Sequence, residues 1–475
     1  MKSSARTQAS WGFVMVAVAG TSCAEPDAAD EREVETRAYG LLRDSLSGVT
    51  AADFAEARTA FATVEGLTDG LGPIFNERGC GSCHTNGQLG GAGEQIERRF
   101  GRFVGGGFDP LGNLGGSLRQ LFSVGNFNNP ELPPASRGSC QAGNPTLCCV
   151  PVESEPAQAT IHNVGRLTTP LFGLGLVDAM PDSFFDALAA AQPVAIRGIA
   201  RRQAILLPNI QDPAQRIGGL RVGRFGWKAA VPTLQQFAAD AYVNEMGITT
   251  QSCVRGTSVN DFATESAPNG VAVPVGCDDL APLQPAADVA ATGMPVNTDD
   301  AVGSCARGRT EIQDDIAEFF TFMTFLAPPG PDAADRGDTI SINRGSPLFS
   351  QVGCNGCHVR TEFRTPANPP TGVPGNFAFH PFSDFLVHDM GSLGDNIGVA
   401  PGDSPAVARR MRTAPLWGIK VRNHLLHDGR AGDVPSAIRA HDGQGAAARD
   451  AFNALNGADQ HALVQFVRSI ASDTL

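Results

Sequence analysis

The chain has no basic excess. Its 36 Lys and Arg stand against 49 Asp and Glu, a formal charge of −13 over 475 residues, which argues against nucleic acid and against a strongly anionic surface as partner. No interior stretch is long and apolar enough to cross a membrane. Aromatic residues make up only 7%, beside 55 Gly and 33 Pro, so the chain reads as loop-rich and short of bulky side chains for its own core. At this length two domains are expected rather than one.

What is present is a repeated motif. Gly72-Pro-Ile-Phe-Asn-Glu-Arg-Gly-Cys80-Gly-Ser-Cys83-His84 returns as Gly345-Ser-Pro-Leu-Phe-Ser-Gln-Val-Gly-Cys354-Asn-Gly-Cys357-His358. The spacing is that of a c-type haem attachment site. Two thiols two residues apart on one helical turn reach both vinyl groups of one porphyrin, and the His directly after them becomes the proximal iron ligand. A zinc site or redox dithiol needs no such His, and the shared lead-in would not recur by chance. Two covalently bound haems are therefore expected, on Cys80, Cys83 and His84 and on Cys354, Cys357 and His358, with the porphyrins supplying part of the apolar core.

The N-terminus carries Lys2 and Arg6, an apolar run from Trp11 to Ala19, then small residues before Cys23. Residues 1–22 read as an export signal and imply a periplasmic or cell-envelope location. Lipidation of Cys23 competes with ordinary cleavage after Ala19, and cysteine parity favours the lipoprotein. Of eleven Cys, four serve the haems and Cys23 the lipid, leaving Cys140, Cys148, Cys149, Cys253, Cys277 and Cys305, an even six for disulfides. A lipid anchor would be the only membrane contact. Residues 23–45, rich in Ala, Asp and Glu, read as a flexible tether.

Helices are expected over 51–62, over 311–326 and over 459–470, where Leu463, Phe466, Val467 and Ile470 share a face. The fold class read from this pattern is mainly α: two cytochrome c-type haem domains with long loop insertions, 46–330 and 331–475. Segments 105–160 and 247–310 read as long loops. Arg98, Arg99 and Arg102, in a Gly-rich stretch, read either as partners of haem propionates or as solvated charge.

Several stretches resemble a known family. Met411-Arg-Thr-Ala-Pro-Leu-Trp417, running into His424-Leu-Leu-His427-Asp-Gly-Arg430, is similar to the second-domain signature of the bacterial di-haem cytochrome c peroxidase superfamily. Leu171 to Pro181, Gly223-Arg-Phe-Gly-Trp227-Lys228, Glu245-Met-Gly-Ile-Thr249 and Phe382 to Gly391, which includes His388-Asp389-Met390, resemble its di-haem oxidoreductase branch, peroxidase-like proteins sometimes called thiol oxidoreductases. The likeness runs from about residue 55 to the end.

The resemblance implies roles. In the peroxidases a Met fourteen residues past the His-Asp-Gly histidine binds the second haem; here that position is His441. His358 and His441 would then ligate one iron as an electron-relay centre, with Met390 the rival ligand and His427 near a propionate or the distal pocket. Trp227 matches the Trp between the haems and is either an electron conduit or a core residue beside Phe225. Glu245 matches an acidic residue near the first haem, able to move a proton between the two peroxide oxygens, or is a solvated helix-end carboxylate. The Gln that usually accompanies it is replaced by Phe237, after Gln235 and Gln236. His162 falls where the peroxidases carry a distal His that leaves the first iron on activation.

The expected activity is peroxidase-like: hydrogen peroxide reduced at the N-terminal haem, with electrons from a small redox protein, a c-type cytochrome or cupredoxin, relayed through the C-terminal haem. Two alternatives remain open, oxidation of an organic or thiol substrate and pure electron transfer. A calcium ion lies between the domains of the peroxidases, but no carboxylate spacing locates Ca2+ in this chain.

Overall fold

The computed structural model describes residues 45–65, 71–123, 152–209, 211–212, 214–248, 251–252, 257–258, 315–330 and 338–471. The export signal, Cys23, most of the tether and the six cysteines assigned to disulfides lie outside these residues.

Each half is built on a helix that leads into its Cys-Xaa-Xaa-Cys-His motif and a later helix that packs on it. In the first half, α1 (Ala51–Ala62) begins where Thr50 Oγ1 accepts the Asp53 amide at 3.1 Å, and it delivers the chain to α2 (Cys80–Cys83). Phe54, Ala57 and Phe61 of α1 are buried at helical spacing. Phe61 meets Phe322 of α5 (Asp315–Phe325) at 4.5 Å between ring centroids. Tyr242 of α4 (Leu234–Met246) closes the cluster edge-on to Phe319 at 5.1 Å. In the second half, α6 (Thr339–Gln351) packs along α9 (Gly457–Arg468), with Phe349 and Phe466 at 5.4 Å. The helices expected over 51–62 and 459–470 are thus present to within two residues, and the described part of the 311–326 segment is helical over Asp315–Phe325.

The mainly α expectation is corrected by the strands. Of the described residues 37% are helix and 16% strand, a mixed architecture. A four-stranded antiparallel sheet stands between the first motif and the middle of the chain. Its central strand β1 (Ile96–Val104) pairs with β2 (Gly107–Asp109), β3 (Leu118–Arg119) and β4 (Ile161–Leu167). The register sets Glu97 opposite Arg166 and Ile96 opposite Leu167. Part of segment 105–160, expected as loop, is therefore strand. Arg99 and Arg102 face carboxylates of the same sheet: Arg99 Nε donates to Glu97 at 2.6 Å and Arg102 Nε to Asp109 at 2.8 Å. Strand β5 (Val387–Asp389) pairs with β6 (Arg410–Arg412) and is bridged by Ile199.

Candidate haem sites

Both motifs hang on a glycine, for different reasons. A Cβ on Gly79 would lie 2.5 Å from the carbonyl oxygen of Thr63, where the end of α1 crosses the motif, whereas Gly353 has φ +90°, open to glycine and strained for other residues. The chain then turns through Cys80–Cys83 as α-helix and through Cys354–Gly356 as a 3₁₀ turn. In both, the two thiols share one turn.

The histidines after them are held alike. His84 Nδ1 donates to Gly91 O at 3.0 Å and His358 Nδ1 to Phe382 O at 2.9 Å. A carbonyl accepts only from N–H, so Nδ1 carries the proton and Nε2 is left free to bind a metal. Desolvation pushes both imidazoles down to about 4, the His441 ring adding to the effect at His358. Both are therefore neutral at pH 7, as metal ligation requires.

The surroundings of the two rings differ. A cavity of about 390 Å³ opens between Cys354, Cys357 and His358 on one side and His441 on the other. His441 caps the end of α7 (Val434–Ala440), and its Nδ1 donates to Ala437 O at 2.8 Å, the same restraint as on His358. The ring centroids of His358 and His441 are 6.5 Å apart. With metal–imidazole bonds of about 2 Å, one ion between the two free nitrogens spans that gap, so these residues fit an iron porphyrin. Met390, the rival ligand, lines the same cavity. At His84 the ring contact among the described residues is with Phe61, at 5.8 Å, and not with a second imidazole.

Glu245, in the last turn of α4, is tied to the first motif by hydrogen bonds. Cys83 Sγ donates to Gln95 Oε1 at 3.2 Å, Gln95 Nε2 to Asn76 O at 2.6 Å, and Asn76 Nδ2 to Glu245 Oε2 at 2.8 Å. Desolvation and the neighbouring Glu97 carboxyl push Glu245 up to about 8, while Arg99 holds Glu97 ionised against the cost of its burial. Two carboxyls so placed keep one proton between them at neutral pH. The glutamine linked to Glu245, through Asn76, is thus Gln95, which the sequence did not single out. Gln236 instead accepts the amides of Leu206 and Leu207, and Phe237 stacks on Phe225 at 5.9 Å.

Trp227 is half-buried and lines the His358 cavity. Its Nε1 donates to Leu167 O at 2.6 Å and its ring stands edge-on to His427 at 6.3 Å. Two residues beyond Leu167, the Thr169 backbone also approaches the His84 ring. His427 is buried, lines the cavity and is pushed down to about 4 by desolvation. His162 lies on β4 with its side chain 56% exposed and Nδ1 on Glu155 at 2.8 Å, the setting of a solvated histidine.

Two buried polar clusters join residues that the sequence did not connect. Asp395 accepts from Lys228 Nζ at 2.8 Å and from Arg166 Nε at 2.8 Å, joining β4 and the Trp227 segment to the second half. Cys357, Asp384 and His388 bring their ligand atoms within 4.8 Å of one another.

Residues 146–470 match the protein family described as di-haem oxidoreductase, putative peroxidase, a span that starts after the first motif and contains the second. No curated protein matches the chain. With more than half of its length in that match, the chain belongs to the di-haem oxidoreductase family, with haem as its cofactor.

Proposed function

We propose that the chain is an exported di-haem oxidoreductase that reduces hydrogen peroxide at the Cys80–His84 site, drawing electrons from a small redox protein at the Cys354–His358 site. Cys80, Cys83, Cys354 and Cys357 would hold the porphyrins covalently, and His84, His358 and His441 would bind iron. The haems, when bound, would supply one-electron redox chemistry and an iron at which peroxide could be reduced.

The observation that carries this reading is the inequality of the two proximal histidines. His358 faces the anchored imidazole of His441 at 6.5 Å, which suits electron relay. His84 faces no second imidazole among the described residues, and the Glu245–Glu97 pair is hydrogen-bonded to its motif through Gln95 and Asn76. Reduction of peroxide to two waters takes two electrons and two protons. Glu245, protonated at pH 7, is the group able to give a proton to the departing oxygen and regain one through Glu97. Trp227 lies along the route between the sites, its indole in the second cavity and its N–H on the strand that leads to the His84 ring.

Low-temperature EPR of the resting ferric protein, with peroxide-dependent oxidation of a reduced cytochrome, tests this. A high-spin signal beside a low-spin one, or one that develops on half-reduction, is expected together with turnover. Two low-spin signals that persist after half-reduction, with no turnover, would make the chain an electron-transfer cytochrome instead.

A further inference from the structure

The second cavity carries a positive charge that its own walls do not balance. Arg412, Arg422 and Arg449 line it, and among the described residues around it there is no Asp or Glu. Arg449 pairs outside the cavity, with Asp442 and Asp450. Arg412 is 7% exposed and makes no ion pair among the described residues. Its Nε donates to Gly226 O at 2.7 Å and its Nη1 to Thr413 O at 3.1 Å, which leaves Nη2 without a hydrogen bond among those residues. Asp384 acts on it only from a distance, its carboxylate being taken up by His388 and Gln192.

The guanidinium is firmly placed. The Arg412 amide donates to Trp227 O at 2.7 Å, so backbone and side chain both latch onto Gly226 and Trp227, and the charge stands over the Phe385 ring at 5.4 Å. With Trp227, Arg412 and Arg422 also line a smaller space that reaches Thr169, whose backbone approaches the His84 ring. The basic wall is therefore the side of the cavity that faces the first site. Desolvation brings Arg412 down to about 10, still protonated at neutral pH. A buried cation without a counter-charge is costly. An otherwise apolar cavity holding one suits an apolar group that carries carboxylates. Arg99 and Arg102, the propionate candidates of the sequence, are engaged with Glu97 and Asp109.

We propose that Arg412 binds a propionate of the second haem through Nη2 and ties it to the Trp227 segment. This rests on the covalent di-haem reading above. Cys354 and Cys357 hold the porphyrin by its vinyl groups and Arg412 holds it by a carboxylate, so that the propionate edge faces the first site. The pair offsets the burial of both charges, and a guanidinium binds a carboxylate with geometric as well as electrostatic preference. A propionate whose charge is balanced favours ferric iron less than a bare one. Arg412 therefore raises the potential of the second haem and keeps that propionate ionised when the iron is reduced.

The test uses the full chain loaded by a haem-attachment system. A crystal structure of that wild-type protein should show a carboxylate of the second haem within about 4 Å of the Arg412 guanidinium; propionates held wholly by other residues overturn the proposal, and no variant is needed to see it. Redox titration followed in the visible spectrum gives a second readout. Arg412→Gln should shift the reduction equilibrium of the second haem towards ferric on the order of 10-fold, about 59 mV. Its potential should also fall with rising pH between about pH 5 and 8, because the released carboxyl takes up a proton on reduction. Arg412→Lys loses the bond to Gly226 but keeps the charge, and should hold the wild-type potential; a merely structural arginine would shift both variants alike. A wild-type potential in Arg412→Gln, flat over that pH range, overturns the proposal. A digest separates this from failure of the di-haem reading: with a haem-bearing peptide containing Cys354 and Cys357 only the proposal falls, and without that peptide the reading itself falls.

Discussion

The imidazoles of His358 and His441 face each other across the second cavity, 6.5 Å between centroids, and each gives its Nδ1 proton to a backbone carbonyl. Neither ring is free to turn its other nitrogen away without losing that bond. His441→Gly should therefore convert the second haem from low-spin to high-spin, seen by EPR and by the visible spectrum. An unchanged low-spin spectrum would give the ligand to Met390, which lines the same cavity.

The Trp227 indole makes its hydrogen bond to β4, Nε1 donating to Leu167 O at 2.6 Å. Trp227→Phe keeps most of the ring and removes the donor. Leaving that carbonyl without its partner should cost about 1–3 kcal/mol in denaturant unfolding. After rapid reduction of the second haem, electron arrival at the first should slow while the initial reduction stays at its wild-type rate. Equal rates in both steps would remove Trp227 from the route.

Asp395 lies between two cations, Lys228 and Arg166, and its carboxyl is at most 6% exposed. Burial alone would raise its pKa, but Arg166 and then Lys228 hold it well below the usual carboxylate range. Desolvation brings Lys228 down to about 8, still protonated at pH 7. Asp395→Asn leaves both cations without their counter-charge and should destabilise the chain by about 3–5 kcal/mol. A depressed acid contributes stability above its unfolded pKa and loses it as pH falls through the folded value. The variant should accordingly show a flatter loss of stability on acidification below about pH 4. A wild-type acid limb in the variant would contradict this account.

The reach of the sequence is set by how local each feature is. Cys80, Cys83 and His84 lie on one turn, so spacing alone singles them out as haem candidates. The helices at 51–62 and 457–468 follow from apolar residues at three- and four-residue intervals. Strand β1 escaped because Ile-Glu-Arg-Arg-Phe-Gly-Arg-Phe-Val alternates poorly and carries half-buried charges that pair within the sheet, Glu97 with Arg99 on the same strand and Arg102 with Asp109 of β2. Its partner β4 lies some 60 residues on, with Arg166 across from Glu97. Asp384 and His388 are four apart yet not on a helix. Phe385 at φ +56° folds the chain back, and Asp384 Oδ1 accepts the Leu386 amide at 3.0 Å, a turn that places the two side chains face to face. No periodicity announces such a turn.

Glu245 gives the sharpest dependence on pH. Desolvation and the Glu97 carboxyl raise it from an ordinary glutamate value to about 8, so between these limits the folded chain holds a proton that the unfolded chain has released. Stability from this group is complete below the unfolded pKa and falls as pH rises towards and through the folded one, because the unfolded state then binds fewer protons. Glu245→Gln should flatten that decline between about pH 5 and 8. Peroxide turnover, which draws on the same proton, should in wild type fall above pH 8. In Glu245→Gln it should be lower on the order of 100-fold with that alkaline limb gone. Glu97→Gln removes the like charge and frees Arg99, both of which favour the Glu245 carboxylate, so its alkaline limb should move to lower pH. A Glu245→Gln protein that turns over peroxide at the wild-type rate, with the same alkaline limb, would place the proton donor elsewhere in the first site.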